Sequence, residues 1–225
     1  MTDSPKSTAT RAGLTPERIV DAAMALTEGE GLHTWSLRDL AKKLDVAPSV
    51  IYHHIGGKDE LSRCVVERVI TAFDRPDPEL DWPDWFRALL YPARAKLRAY
   101  PGVAMWLMMH GPAFEHLIPI IDDGIAALER AGFAERTGLA YTAILNSAML
   151  TVAAADERKV HADDGSRDHA AIMRDFERVG ADSPGVGVLK EVITSFTDTA
   201  EETGEHYYRF VIDTVLAGLE QQLPG

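Results

Sequence analysis

The chain has 225 residues, 46% of them apolar, and a formal charge of −12, which supplies one large or two modest packed domains and excludes a tail or a fibre. Its single cysteine, Cys64, excludes an intramolecular disulfide framework and a multi-cysteine zinc site, and suits the reducing cytosol, so a cytoplasmic protein is expected. The acid excess does not exclude nucleic acid: lysine plus arginine against aspartate plus glutamate count 9 to 10 over residues 1–70 and 14 to 25 beyond, and screening over roughly 8 Å leaves a local basic face intact.

Residues 1–13 lack an apolar stretch after their charges, so they do not read as a secretion signal and are expected to be a disordered arm. A helix is signalled from Thr15 to Gly29: Thr15 can cap, Pro16 suits the first helical position, and Gly29 and Gly31 punctuate the end. Its buried face is expected to carry Ile19, Ala22, Ala23 and Leu26. Ser36 can cap a short second helix whose Leu37, Leu40, Ala41 and Leu44 fall on one stripe. The chain must then turn within Asp45 to Ala47, because Pro48 opens a third helix that Gly56 and Gly57 stop. A fourth runs from Lys58 towards Phe73, with Asp59 and Glu60 favourable at its N-terminus.

The proline-dense segment DRPDPELDWP is the natural domain boundary. It divides residues 14–73 from 83–223. Beyond it, helices are expected near 83–99, 102–110, 115–131, 136–158, 168–178, 186–198 and 205–222, with Pro92 kinking or splitting the first of them. No alternating strand pattern is present, so the fold class is all-α. The stretch from Gly138 to Ala155 is almost uncharged and close to the minimum length of a membrane span. Its Thr142, Asn146, Ser147 and Thr151 favour a helix buried between other helices instead, and no membrane association is expected.

Two short helices joined by a three-residue turn, behind a supporting helix, can lay the second in the DNA major groove. The run GLHTWSLRDLAKKLDVAPSVIYHHIGGKDEL, Gly31 to Leu61, resembles the helix-turn-helix of the TetR (tetracycline-repressor-like) family over its whole length. The motif occupies about 36–55. The resemblance implies a DNA-binding domain at 14–73 and a helical ligand-binding and dimerisation domain at 83–223.

Carried over residue by residue, it implies that Arg38 reaches a guanine edge, that Tyr52 sets its hydroxyl on phosphate while its ring packs, and that Lys58 clamps phosphate at a helix N-terminus. Ser49, Val50, His53 and His54 share the recognition helix, and Lys42 can reach the backbone. For Arg38 and Lys42 the competing reading is an ordinary solvated charge. The adjacent histidines point about 100° apart and do not share a metal; no metal or cofactor is expected. Three positions depart from the family pattern. Asp45 stands where glycine is common, Ala47 replaces a polar cap at a cost of about 1 kcal/mol, and Val50 replaces a threonine, which removes a hydrogen bond but can touch a thymine methyl.

In the second domain MWLMMHGPAF, residues 105–114, is the richest cluster of polarizable and aromatic side chains, suited to an apolar ligand or to plain core packing. Phe86, Met105, Trp106, Met109 and Phe114 are expected as walls. His110, Tyr141 and Asn146 are expected as orienting polar groups. Ile144, Ala148 and Thr151 make a small-residue stripe, and Tyr208, Ile212, Val215 and Leu219 a larger one. Paired between subunits they would close a four-helix bundle; packing within one chain is the alternative.

The expected function is a regulator, a repressor above all, that binds a palindromic operator on double-stranded DNA as a homodimer and is released by a small, mostly apolar molecule. The alternatives are a helical interaction module without DNA and a helical enzyme. The second lacks an activated nucleophile, since no Cys-x-x-Cys or His-Glu-x-x-His occurs and Cys64 has no designated base.

Overall fold

A computed structural model describes residues 14–197 and 201–223; the expected N-terminal arm, residues 1–13, lies outside the described residues. Eleven α-helices are present among them: α1 (Pro16–Glu30), α2 (Leu37–Leu44), α3 (Pro48–Ile55), α4 (Lys58–Ile70), α5 (Trp82–Arg98), α6 (Val103–His110), α7 (Ile118–Arg130), α8 (Thr137–Val160), α9 (His169–Val179), α10 (Pro184–Thr197) and α11 (Glu201–Glu220). The fold is all-α, an N-terminal helix-turn-helix domain followed by a larger helical domain.

Local chemistry starts and stops the first four helices. Thr15 accepts from the Arg18 amide, Pro16 opens α1, and Gly31 ends it at φ 97°. The buried face holds Ile19, Val20, Ala23 and Thr27. Thr27 is a polar member of that face and is fully satisfied: its hydroxyl donates to the Ala23 carbonyl at 2.9 Å and accepts from the Trp35 indole at 3.1 Å. That contact fixes the loop into α2. Ser36 and Asp39 cap α2 reciprocally, and Asp45 ends it in the left-handed region at φ 53°. Ala47 makes no capping bond, so α3 starts on the fixed φ of Pro48 alone.

Pro92 does not split α5. Both Pro92 and Ala88, whose carbonyl loses its partner, lie on the exposed side of the helix, where water can meet the orphaned oxygen. The segment Ala134–Val160 is long and apolar enough to cross a membrane by length and composition. In the fold it holds α8, the helix on which α6, α7 and α11 pack.

The expected interface stripe takes a different place. Ile144, Ala148 and Ile212 are 0% exposed and Tyr208 1% within a single chain, with the Tyr208 hydroxyl donating to the Leu90 carbonyl at 3.1 Å. Thr151, Val215 and Leu219 are half-buried beside them. The stripes are complementary, as expected, but they join α8 to α11 of the same chain. A pair of helices in one chain meets sooner than the same pair in two, and each needed its apolar face covered.

Candidate nucleic-acid interface and ligand cavity

Ile51 is fully buried and anchors α3 against α1 and α2. With residue 51 turned inward, the helical period turns Ser49, Tyr52, His53 and His54 outward, and all four are exposed, Tyr52 by 65%. Val50 is half-buried beside them. The two histidine rings stand edge to face, with centroids 5.9 Å apart. Arg38 and Lys42 are exposed on α2, and neither makes an ion pair among the described residues. Their charges are therefore available to phosphate. Helices α2 and α3 thus carry exposed hydroxyls, imidazoles and cations that make no ion pair.

Lys58 is placed otherwise. Its ammonium donates to the Leu32 carbonyl at 2.8 Å and lies 2.6 Å from the centre of the Trp35 ring. Burial lowers its pKa from 10.5 to about 7, against a weak opposing pull from Asp39. The lysine expected to stand in solvent at the start of α4 is folded back onto the loop between α1 and α2. Leu32 and Trp35 escaped the sequence reading because one acts through its backbone and the other reads as plain core.

The larger domain contains an apolar cavity of about 250 Å³ between α5, α6, α7 and α8. Leu90 and Ala93 line it from α5, Leu107 and Met108 from α6, Ile120 and Ile121 from α7, and Tyr141, Leu145, Asn146 and Met149 from α8. Of the expected ligand residues, Tyr141 and Asn146 are there. The others are not. Phe86 is fully buried behind Tyr141, Met109 is 72% exposed, Met105 is half-buried, and Trp106, His110 and Phe114 cluster on another side of α6. The physical reason is the 100° step of a short helix apolar on nearly every face: turning Leu107, Met108 and Gly111 to the cavity turns Trp106, Met109 and His110 away. The cavity's chemistry is simple. The Tyr141 hydroxyl makes no hydrogen bond among the described residues, and burial pushes its pKa up to about 12, so it stays a neutral phenol with an unused donor.

A short covalent and hydrogen-bonded path joins the two regions. The Leu32 amide donates to the Pro101 carbonyl at 2.8 Å, in the turn that opens α6, while the Leu32 carbonyl holds Lys58. That turn is clamped by Asp156 of α8, buried at 2% exposure, which accepts from the Gly102 amide at 3.2 Å and from Arg98 at 2.8 Å. Desolvation outweighs both partners and raises the Asp156 pKa to about 6.

Residues 19–63, most of α1 through the first turns of α4, match the family model of bacterial regulatory proteins of the tetR family. The first third of the chain is thus similar to the DNA-binding region of the TetR family. The matches support a DNA-binding, helix-turn-helix transcriptional regulator, a kind of protein that is normally non-enzymatic. An HTH-type transcriptional regulator of Saccharopolyspora erythraea is 26% identical over 183 residues, covering 80% of this chain and 77% of that one. The HTH-type transcriptional repressor DrrR1 of Streptomyces coeruleorubidus is 31% identical over 112 residues, half of this chain and 41% of that protein. Among solved TetR-family structures, ActR of Streptomyces coelicolor in complex with actinorhodin superposes with a TM-score of 0.65 at 21% identity, over 92% of this chain and 97% of that one.

Proposed function

We propose that this regulator is a homodimeric repressor of a two-fold-symmetric operator, released when a small, mostly apolar molecule with one hydrogen-bond acceptor enters the cavity between α5 and α8. Residues 14–73 form its DNA-binding domain and 83–223 its ligand-binding and dimerisation domain. Arg38, Lys42, Ser49, Val50, Tyr52, His53 and His54 meet DNA, and Lys58 joins them by swinging off Trp35. The observation that carries the reading is the apolar cavity with the half-buried Tyr141 phenol on its wall: the hydroxyl makes no hydrogen bond among the described residues, and a ligand acceptor can take that donor. The actinorhodin complex of ActR and the repressor DrrR1 support ligand control and repression by analogy.

The proposed dimer face differs from the stripe read in the sequence. Leu139 and Leu150 of α8 and Tyr207 and Phe210 of α11 are exposed, by 73%, 51%, 38% and 61%. Because α8 and α11 already pack together, their outward faces form half of a four-helix bundle that a second copy would complete. The paired recognition helices would then sit roughly 34 Å apart, one turn of DNA.

Ligand release works through α6. A ligand that displaces Leu107 and Met108 moves the turn at Pro101 and Gly102, and with it Leu32 and the carbonyl that holds Lys58. To weaken operator binding about 100-fold, the ligand must prefer the DNA-incompetent state by about 2.7 kcal/mol, and DNA must weaken the ligand equally. The test is a selection of genomic DNA fragments on the full chain. Enrichment of an inverted repeat, bound less tightly as salt rises, is the expected result; no enrichment overturns the reading.

A further inference from the structure

A second concavity, about 660 Å³ and open to solvent, lies between the DNA-binding domain and α6. It is separate from the ligand cavity and is lined by other residues. One wall is the Trp106 indole, stacked on the His110 ring with centroids 4.3 Å apart and planes 14° from parallel. The opposite wall is made by His33 and Trp35 and by the first turns of α2 and α4, which bring in Arg38, Lys58 and Asp59.

The charges there are unbalanced. Surface cations of α4 find carboxylates, Arg63 with Glu67 and Arg68 with Asp21. Lys58 and Arg38 make no ion pair among the described residues, and only Asp39, from further off, acts on Lys58. An ammonium has three N–H groups, and Lys58 uses one on Leu32. Against these two cations the lining holds one acid, Asp59. A flat aromatic wall beside an exposed guanidinium and a half-buried lysine, neither in an ion pair, is complementary to one chemical class.

We propose that this cleft binds a planar aromatic carboxylate, its ring laid on the Trp106–His110 stack and its carboxylate directed to Lys58 and Arg38. The apolar cavity behind α6 rejects the same molecule, because it offers a carboxylate no cation and burying that charge unpaired is prohibitive. The two concavities therefore sort effectors by charge. Where Lys58 and Arg38 serve the operator backbone, a clause that rests on the function proposed above, the cleft ligand competes with DNA for the same cations instead of acting through α6.

The experiment is calorimetric titration of the DNA-free full chain with 2-naphthoate, with uncharged 2-naphthylmethanol as control. Saturable binding near one per chain is expected, weaker by at least tenfold, about 1.4 kcal/mol, for the alcohol and for Trp106→Ala, Lys58→Gln and the exposed variant Arg38→Gln, each checked for folding by circular dichroism. Leu145→Trp, which fills the other cavity, should leave it unchanged. No saturable binding, equal binding of the alcohol, or loss in Leu145→Trp with retention in Trp106→Ala overturns the site. A parallel displacement of labelled duplex DNA separates the two proposals: naphthoate that binds but displaces nothing leaves the site standing and removes Lys58 and Arg38 from the DNA interface.

Discussion

Lys58 shows what burial does to a charge that has a second place to go. In the free protein its pKa is about 7; beside a phosphate the ammonium would return towards its ordinary value near 10.5. DNA binding then takes up protons above pH 7, so operator affinity should fall as pH rises from 7 to 9, by up to about tenfold per pH unit for each such lysine. Fluorescence anisotropy across that range checks it, with Lys58→Gln expected to flatten the slope relative to wild type. For folding the sign is opposite: the unfolded chain holds this proton more tightly between pH 7 and 10.5, so the penalty for the buried cation is full below pH 7 and is relieved as pH rises. Arg38→Ala should instead relax preference at one base pair by about 1–3 kcal/mol, read by competition between single-base operator variants. At the joint, Asp156→Ala strands the Gly102 amide and removes the ion pair to Arg98 and should cost about 3 kcal/mol in urea unfolding, whereas Asp156→Asn, which keeps an acceptor for Gly102, should cost less.

The helices divide by how much their sequences said. Most caps and turns were legible: Thr15, Ser36, the left-handed Asp45 and the uncapped Ala47 all behave as their chemistry dictates, while Asp39, which caps Ser36 in return, was not read. Orientation was not legible where every face is apolar. Residues 103–110 give no polar side to fix which way α6 turns, so the contents of the cavity were set by what α5, α7 and α8 present, a tertiary choice. The same holds for α8, whose small-residue stripe is compatible with a partner in either chain. Helix α7 reaches this site because of Gly124: a Cβ there would lie 2.8 Å from the Trp85 ring and 2.9 Å from Tyr141. Gly124→Ala must displace both stiff rings, and overpacking of this kind costs about 1–3 kcal/mol. A lowered thermal midpoint by calorimetry, with a tilted Tyr141 and a smaller cavity in a crystal structure, is the expected outcome; an unchanged midpoint would show that the rings yield freely.

At the scale of the whole molecule, burial separates two kinds of variant that the sequence alone treats alike. Ile212 is 0% exposed inside the α8–α11 contact, so Ile212→Glu should unfold the larger domain, an unpaired buried charge costing roughly 4 kcal/mol or more. Leu150→Glu and Phe210→Glu, on the outward face, should stay folded by circular dichroism and sediment as monomers with lost operator binding. A dimer persisting in both outward variants would move the interface to another face. Helix α8 ties these results together, since its 24 residues supply the Tyr141 wall of the cavity, the outward leucines and the Asp156 clamp. A rod with three employments cannot be revised for one of them alone. Mutants selected for a bulkier inducer at Tyr141 or Leu145 should therefore arrive with altered half-site spacing preference, and drift in effector range should drag operator geometry with it.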